Sequence, residues 1–239
     1  MSVIANTNFE ERYIALKKRE NRIYPDEEVF QLPDIAKQNP YYKEWRMRKQ
    51  SMQRLIRWLE KKNKPMKILE IGCGNGWLCN RLSEIKNSDI TGLDINSTEL
   101  EQATRVFKNN LNVKFVLGEI DSQVFANEKF DIILFAASLQ YFQSLQDILF
   151  SVLEHLNDGG EIHIVDTHFY KKEELTEARK RSIDYFTAIG FPDMADRYFH
   201  HYVQELEGYN SKILYQPSSG LSKFFRNNNP FPWICVKRN

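Results

Sequence analysis

Three observations predict an α/β protein with a mostly parallel sheet and helices on both faces. Between residues 66 and 170, short apolar runs alternate with stripes of helical period. Strands separated by helices pair in parallel, because each crossover returns across a face of the sheet. The run 130–137 (FDIILFAA) is apolar at nearly every position, as a strand covered from both sides must be. Three of the ten glycines, Gly72, Gly74 and Gly76, directly follow the first apolar run. Glycine there serves a sharp turn or a close approach of backbone to a ligand.

The elements follow in order. Residues 1–40 are polar and contain Pro25, Pro33 and Pro40, which predicts short helical pieces and loops. Trp45, Met52, Leu55, Ile56 and Leu59 recur at helical spacing, so a helix runs from about 41 to 63 and breaks at Asn63-Lys64-Pro65. Residues 67–71 form the first strand, and Leu78, Leu82 and Ile85 mark the helix after the glycines. Residues 89–94 are the second strand. A helix over 98–109 follows, with Thr98 and Glu101 in the spacing of a capping box. Residues 113–117 and 130–137 are the third and fourth strands. Leu145, Ile148, Leu149, Val152, Leu153 and Leu156 form a helical stripe that Gly159-Gly160 ends, and 161–167 is the fifth strand. Beyond 170 the pattern changes to a helix over 171–189, an aromatic stretch over 191–209, and two strand-like runs, 211–216 and 231–237. No internal repeat or low-complexity linker divides the chain, so one domain spans 1–239.

Composition narrows the function. The chain is 42% hydrophobic with a net charge of +1, which disfavours a disordered polyelectrolyte and a globally basic nucleic-acid binder. No apolar run approaches the ~18 residues of a membrane span, and the N-terminus shows no signal-peptide apolar region. Cys73, Cys79 and Cys235 read as reduced thiols, so the expected location is cytoplasmic. Charge is uneven: residues 41–67 hold ten Lys and Arg against two Glu. This segment is either a solvated face or a basic rim beside an anionic ligand.

A strand, a glycine loop and a helix start together make an anion site, because backbone N–H groups and the helix dipole converge there. The dinucleotide fingerprint needs a third glycine where Trp77 stands. The segment instead reads Glu70-Ile71-Gly72-Cys73-Gly74-Asn75-Gly76 and resembles motif I of the class I S-adenosylmethionine-dependent methyltransferases. Asp94 ends the second strand where that family places its ribose-binding acid. Gly118-Glu119-Ile120 follows the third strand, Phe130-Asp131-Ile132-Ile133 opens the fourth, and residues 153–165 match the helix–Gly-Gly–strand segment.

The resemblance covers 66–170 strongly and 171–239 in general plan. It implies a seven-stranded, mostly parallel Rossmann-like sheet closed by a C-terminal antiparallel hairpin, with 1–65 as an N-terminal helical lid. Residues 66–170 become the cofactor-binding core and 171–239 the acceptor cap and hairpin. It also implies S-adenosyl-L-methionine as cofactor, held around Glu70, Gly72, Cys73, Gly74, Gly76, Asp94, Ile95, Glu119, Ile120, Phe135 and Ala136. Asp94 suits two adjacent ribose hydroxyls and Glu119 the adenine amino group. Loop N–H groups suit the methionine carboxylate, and the carbonyls of Phe135 and Ala136 its amino group. Tyr41, Tyr42 and Trp45 are candidate lid aromatics.

The acceptor side is less defined. His168 follows the fifth strand's carboxyl end, where open α/β sheets bind ligands, and Asp166 precedes it by two residues. His200 and His201 lie in the aromatic cap. These three histidines are the candidate catalytic groups. His155 and His163 read as structural, and Cys73 and Cys79 as packing residues. No metal-binding set is read, since two residues do not make a metal site. The expectation is methylation of a small or medium polar acceptor at oxygen or nitrogen. Two alternatives stand beside it: RNA methylation, with helix 41–67 gripping phosphates, and a catalytically silent cofactor-binding partner. Oligomeric state is not legible.

Overall fold

Five of the apolar runs form parallel strands in the computed structural model, which describes residues 3–120, 122–126, 128–217 and 229–238. They are β1 (Met66–Ile71), β2 (Ser88–Asp94), β3 (Val113–Leu117), β4 (Phe130–Ala136) and β5 (Leu156–Val165). Two-residue strands β6 (Phe169–Tyr170) and β7 (His201–Tyr202) pair separately. The hairpin of β8 (Asn210–Tyr215) and β9 (Trp233–Lys237) completes a seven-stranded sheet of order β3-β2-β1-β4-β5-β9-β8. Only β9 runs against its neighbours. The strand order reverses between β1 and β4, which opens a crevice at their carboxyl ends.

The helices are α1 (Val3–Arg19), α2 (Asp26–Gln31), α3 (Tyr42–Glu60), α4 (Trp77–Leu82), α5 (Ser97–Val106), α6 (Ser122–Phe125), α7 (Leu145–Glu154) and α8 (Leu175–Ala188). Strand pleating sorts the core onto two faces. Ile68 packs with Leu55 and Leu59 of α3 and with Leu78 and Leu82 of α4. Leu69 and Ile71 pack on the other face with Leu145, Leu149 and Val152 of α7. Each such fully buried side chain contributes roughly 1.5–3 kcal/mol. The apolar stripe of α3 is therefore what fixes its basic face outward. No described helix is long and apolar enough to cross a membrane.

Several expectations change. The N-terminal segment is one 17-residue helix rather than short pieces. The cap of α5 is Asn96, whose side chain accepts from the Glu99 N–H at 2.9 Å, so Thr98 and Glu101 lie inside the helix. Strand β5 starts at Leu156, five residues before the expected 161, because Leu156 pairs with Phe130 ahead of a register shift. Trp45 is core rather than lid. Its indole N–H donates to the Tyr24 hydroxyl at 2.9 Å, and its ring packs edge-on against Trp77.

Candidate active site

Gly72 and Gly76 take φ of +74° and +73°. An added Cβ would lie 2.5 Å from Ser138 Cβ and 2.5 Å from the Phe115 ring respectively, so glycine is required on both counts. Four of the loop amides are engaged. Those of Gly72 and Cys73 donate to the Leu93 carbonyl at 2.8 and 3.1 Å, and that of Gly76 to the Cys73 carbonyl at 3.0 Å. The Gly74 N–H donates to Asp94 Oδ2 at 2.7 Å. The loop is thus tied to the end of β2.

Asp94 also accepts from the Asn96 N–H at 2.8 Å, through Oδ1. A carboxylate has about four acceptor sites, so one site stays open on each oxygen. Burial and the neighbouring Glu99 push its pKa up to about 6. Beside it the Asn96 Nδ2 is buried with no partner among the described atoms. Two open acceptors and an orphan donor form a polar cradle at the carboxyl end of β2, and a ribose diol satisfies the acceptors. The residues present fit the cofactor.

The remaining cofactor candidates occupy different environments. Glu70 lies behind the loop, accepts from the Cys79 thiol at 3.0 Å, and is pushed by burial up to about 8. Burial pushes the Cys73 thiol up to about 12 and Cys79 well above its usual range, which leaves both protonated at neutral pH. Ile95 and Ile120 are half-buried and Glu119 is exposed. Phe135 is fully buried within the sheet against Phe142. Ala136 is half-buried at the end of β4.

Helix α1 covers this region. Glu10 accepts from the Ser97 hydroxyl at 2.6 Å and from the Thr98 N–H at 3.1 Å, at the start of α5. Lys17 pairs with buried Glu99. Tyr13 packs edge-on against Tyr141, and burial with the charges of Glu99 and Asp94 holds its hydroxyl protonated. Neither Tyr13 nor Lys17 was a candidate from sequence.

A cavity of about 280 Å³ opens between α3 and the carboxyl ends of β4 and β5. Met47 and Arg48 of α3 form one wall, and Ala137 and Asp166 stand at the strand ends. Both strand-end residues have φ of +55°, a conformation costing about 1–3 kcal/mol and concentrated at functional sites. Asp166 Oδ1 accepts from the Ser51 hydroxyl at 2.5 Å and the Asn229 amide at 3.4 Å. Burial raises its pKa. Glu44 accepts from both Arg22 and Arg48, at 2.7 and 3.0 Å.

The three candidate histidines separate. His168 lines the cavity, its ring 4.2 Å from that of Tyr170. His200 lies on the far side of Tyr170, 5.4 Å ring to ring, with Nε2 2.9 Å from the Ser182 hydroxyl. The β6–β7 pairing brings these two distant segments together. Burial lowers the pKa of both, so both are neutral at neutral pH. His201 is buried elsewhere, against the Leu139 carbonyl at 3.2 Å and Glu205 at 3.4 Å. Sequence reasoning missed Arg48, Ala137, Tyr170 and Phe231 as cavity lining.

Among the described residues one group has metal-like spacing, Glu161, His163 and Cys235, with ligand atoms within 4.8 Å of one another. It is internally satisfied. The Trp233 indole donates to His163 Nδ1 at 3.0 Å, so the ring's proton is on Nε2, facing Glu161 at 3.1 Å. Glu161 also takes Lys62 at 2.8 Å and Lys237 at 3.2 Å. The imidazole has no lone pair left for a metal.

A family model for a methyltransferase domain matches residues 62–208. The chain belongs to that family, the class I S-adenosylmethionine-dependent methyltransferases. A sterol 24-C-methyltransferase of Gibberella zeae is 26% identical over 121 residues, 49% of this chain and 32% of that protein. A malonyl-[acyl-carrier protein] O-methyltransferase of Bacillus cereus is 31% identical over 96 residues, 40% of this chain and 35% of that protein. The chain thus spans about a third of these relatives' lengths. An O-methyltransferase family protein from Burkholderia thailandensis superposes with a TM-score of 0.58 at 11% identity, covering 96% of this chain and 70% of that one. That likeness concerns the fold.

Proposed function

We propose that this chain is a methyltransferase that moves a methyl group from S-adenosyl-L-methionine to a small or medium polar acceptor, at oxygen or nitrogen. The observation that carries this reading is the Asp94–Asn96 cradle at the carboxyl end of β2, on the same edge of the sheet as the cavity at the ends of β4 and β5. When bound, the cofactor supplies an electrophilic methyl group on a sulfonium. Asp94 would hold its ribose through the two open acceptor sites. Glu70, Gly72, Cys73, Gly74 and Gly76 shape the loop, while Ile95, Glu119 and Ile120 border the adenine end and Phe135 and Ala136 the sulfonium end.

Positioning supplies most of the rate in such a transfer. The chain's part is to hold the acceptor in line and exclude water, which α1 and the aromatic rings suit. His168, neutral and at the cavity wall, is placed to take a proton from an acceptor that must lose one. His200 orients that wall through Tyr170, and His201, buried away from the cavity, takes no part in this reading. We place the activity in one domain, 1–239, in a cytoplasmic setting where the three thiols stay reduced.

Calorimetric titration with S-adenosylmethionine and S-adenosylhomocysteine tests the reading. Wild type should bind both. Asp94→Ala should weaken binding about thirtyfold, roughly 2 kcal/mol, as loss of hydrogen bonds to a charged group predicts. Wild type binding neither ligand would overturn it.

A further inference from the structure

We propose that the cavity at the ends of β4 and β5 takes its acceptor as a protonated amine, with the ammonium on Asp166 and the apolar body among Tyr170, Tyr198 and Phe231. This deepens the methyltransferase reading and rests on it. The argument begins with charge. Glu44 and Arg48 face each other at 3.0 Å, and Arg22 with Glu20 extends the pair into a chain of zero net charge. His168 is neutral, held so by burial and by Arg181. The Asp166 carboxyl group remains. Its two donors, the Ser51 hydroxyl and the Asn229 amide, are both uncharged. Among the described residues no cation lies within ion-pair distance of it: Arg48 pairs with Glu44 and Arg54 lies over the Tyr215 ring at 4.0 Å, and both act on Asp166 only through space.

The rings point the same way. Tyr170, Tyr198 and Phe231 line the cavity, and aromatic faces carry negative charge density that attracts a cation. An anionic acceptor would meet a carboxylate that no contacting cation neutralises and these faces together. An ammonium satisfies both. The proton that this ammonium loses before methyl transfer passes to neutral His168 at the cavity wall, which leaves that N–H bond's electron pair on nitrogen as a lone pair. The left-handed backbone at Asp166, φ +55°, persists where the surroundings over-determine it, and Ser51 and Asn229 are those surroundings.

Three probes that share one ring isolate the head group: benzylamine, benzyl alcohol and benzoate. Each is titrated calorimetrically into the protein saturated with S-adenosylhomocysteine. Benzylamine should bind at least tenfold tighter than the other two. Asp166→Asn should lower benzylamine affinity tenfold or more and leave S-adenosylhomocysteine affinity within twofold. If Asp166→Asn does not fold, the wild-type ranking still decides, as does Tyr198→Leu, which should weaken benzylamine more than benzyl alcohol. Equal or tighter binding of benzoate or the alcohol, no binding of benzylamine, or an unchanged Asp166→Asn affinity overturns the proposal. Failure of wild type to bind S-adenosylhomocysteine is a different result and removes the cofactor reading instead.

Discussion

Asp94 does two jobs that pull in opposite directions on its proton. In the free protein burial and Glu99 raise its pKa to about 6. Ribose hydroxyls donate to the ionised form and therefore favour it. Binding should weaken as pH falls through 6, approaching tenfold per unit at the acid limit, and Asp94→Asn should flatten the profile. Titrating S-adenosylhomocysteine from pH 8 to pH 5 checks this; a flat wild-type profile would remove Asp94 from the binding site. Glu70 gives a stability signature of the same kind. Its pKa is raised by burial from 4.5 to about 8. The folded state therefore holds this proton more tightly than the unfolded chain. Stability is fully present below pH 4.5 and is lost as pH rises through about 8. Glu70→Gln keeps an acceptor for the Cys79 thiol and has no charge to desolvate. Its melting temperature should equal wild type's near pH 4.5 and exceed it by about 10 °C or more near pH 9, since a shift of this size is worth roughly 5 kcal/mol and each kcal/mol moves a chain of this size about 2–4 °C.

Helix α1 shows what an element contributes beyond its own residues. It has no strong apolar stripe, and its contacts lie far along the sequence: Glu10 and Lys17 on α5, Arg12 on Asp193, and Leu16 among Phe186 and Met194. That is why the sequence read as short pieces, whereas α3, with its stripe at helical period, was legible within two or three residues. Strands β1, β4, β5 and β9 were legible for a related reason: each holds four or more consecutive buried residues. The two-residue pair β6–β7 carries no pattern at all, yet it sets His168 and His200 around Tyr170. Ala137 shows a similar limit, since nothing local marks a non-glycine residue for a left-handed backbone. The motif residues were legible, but not that their amides are tied to Leu93 and Asp94. Lys17→Met tests the element. It leaves Glu99 buried and unpaired, which costs roughly 1–3 kcal/mol. Amide hydrogen exchange in α1 should accelerate more than in β1 or β4, and uniform acceleration would mean that α1 is not a separable lid.

At the scale of the whole molecule, the question is whether lid, core and cap melt together. The sheet core and α3 share one apolar cluster, and β5 and β9 join the C-terminal hairpin to the same sheet. Polar and ionic links tie α1 to α5, and a smaller apolar cluster ties it to α8. These connections cross all three proposed parts, so calorimetry should record a single unfolding transition. S-adenosylhomocysteine binds between the parts in this reading, to Asp94 of the core and beneath α1. At a hundredfold excess over its dissociation constant it should add about 2.7 kcal/mol and raise the one transition by about 5–10 °C. Two transitions, with only the second moved by ligand, would mean that residues 1–65 fold apart from the sheet and reach the site only as a mobile flap. The Lys17–Glu99 pair would then be an occasional contact, and α1 could not exclude water during methyl transfer.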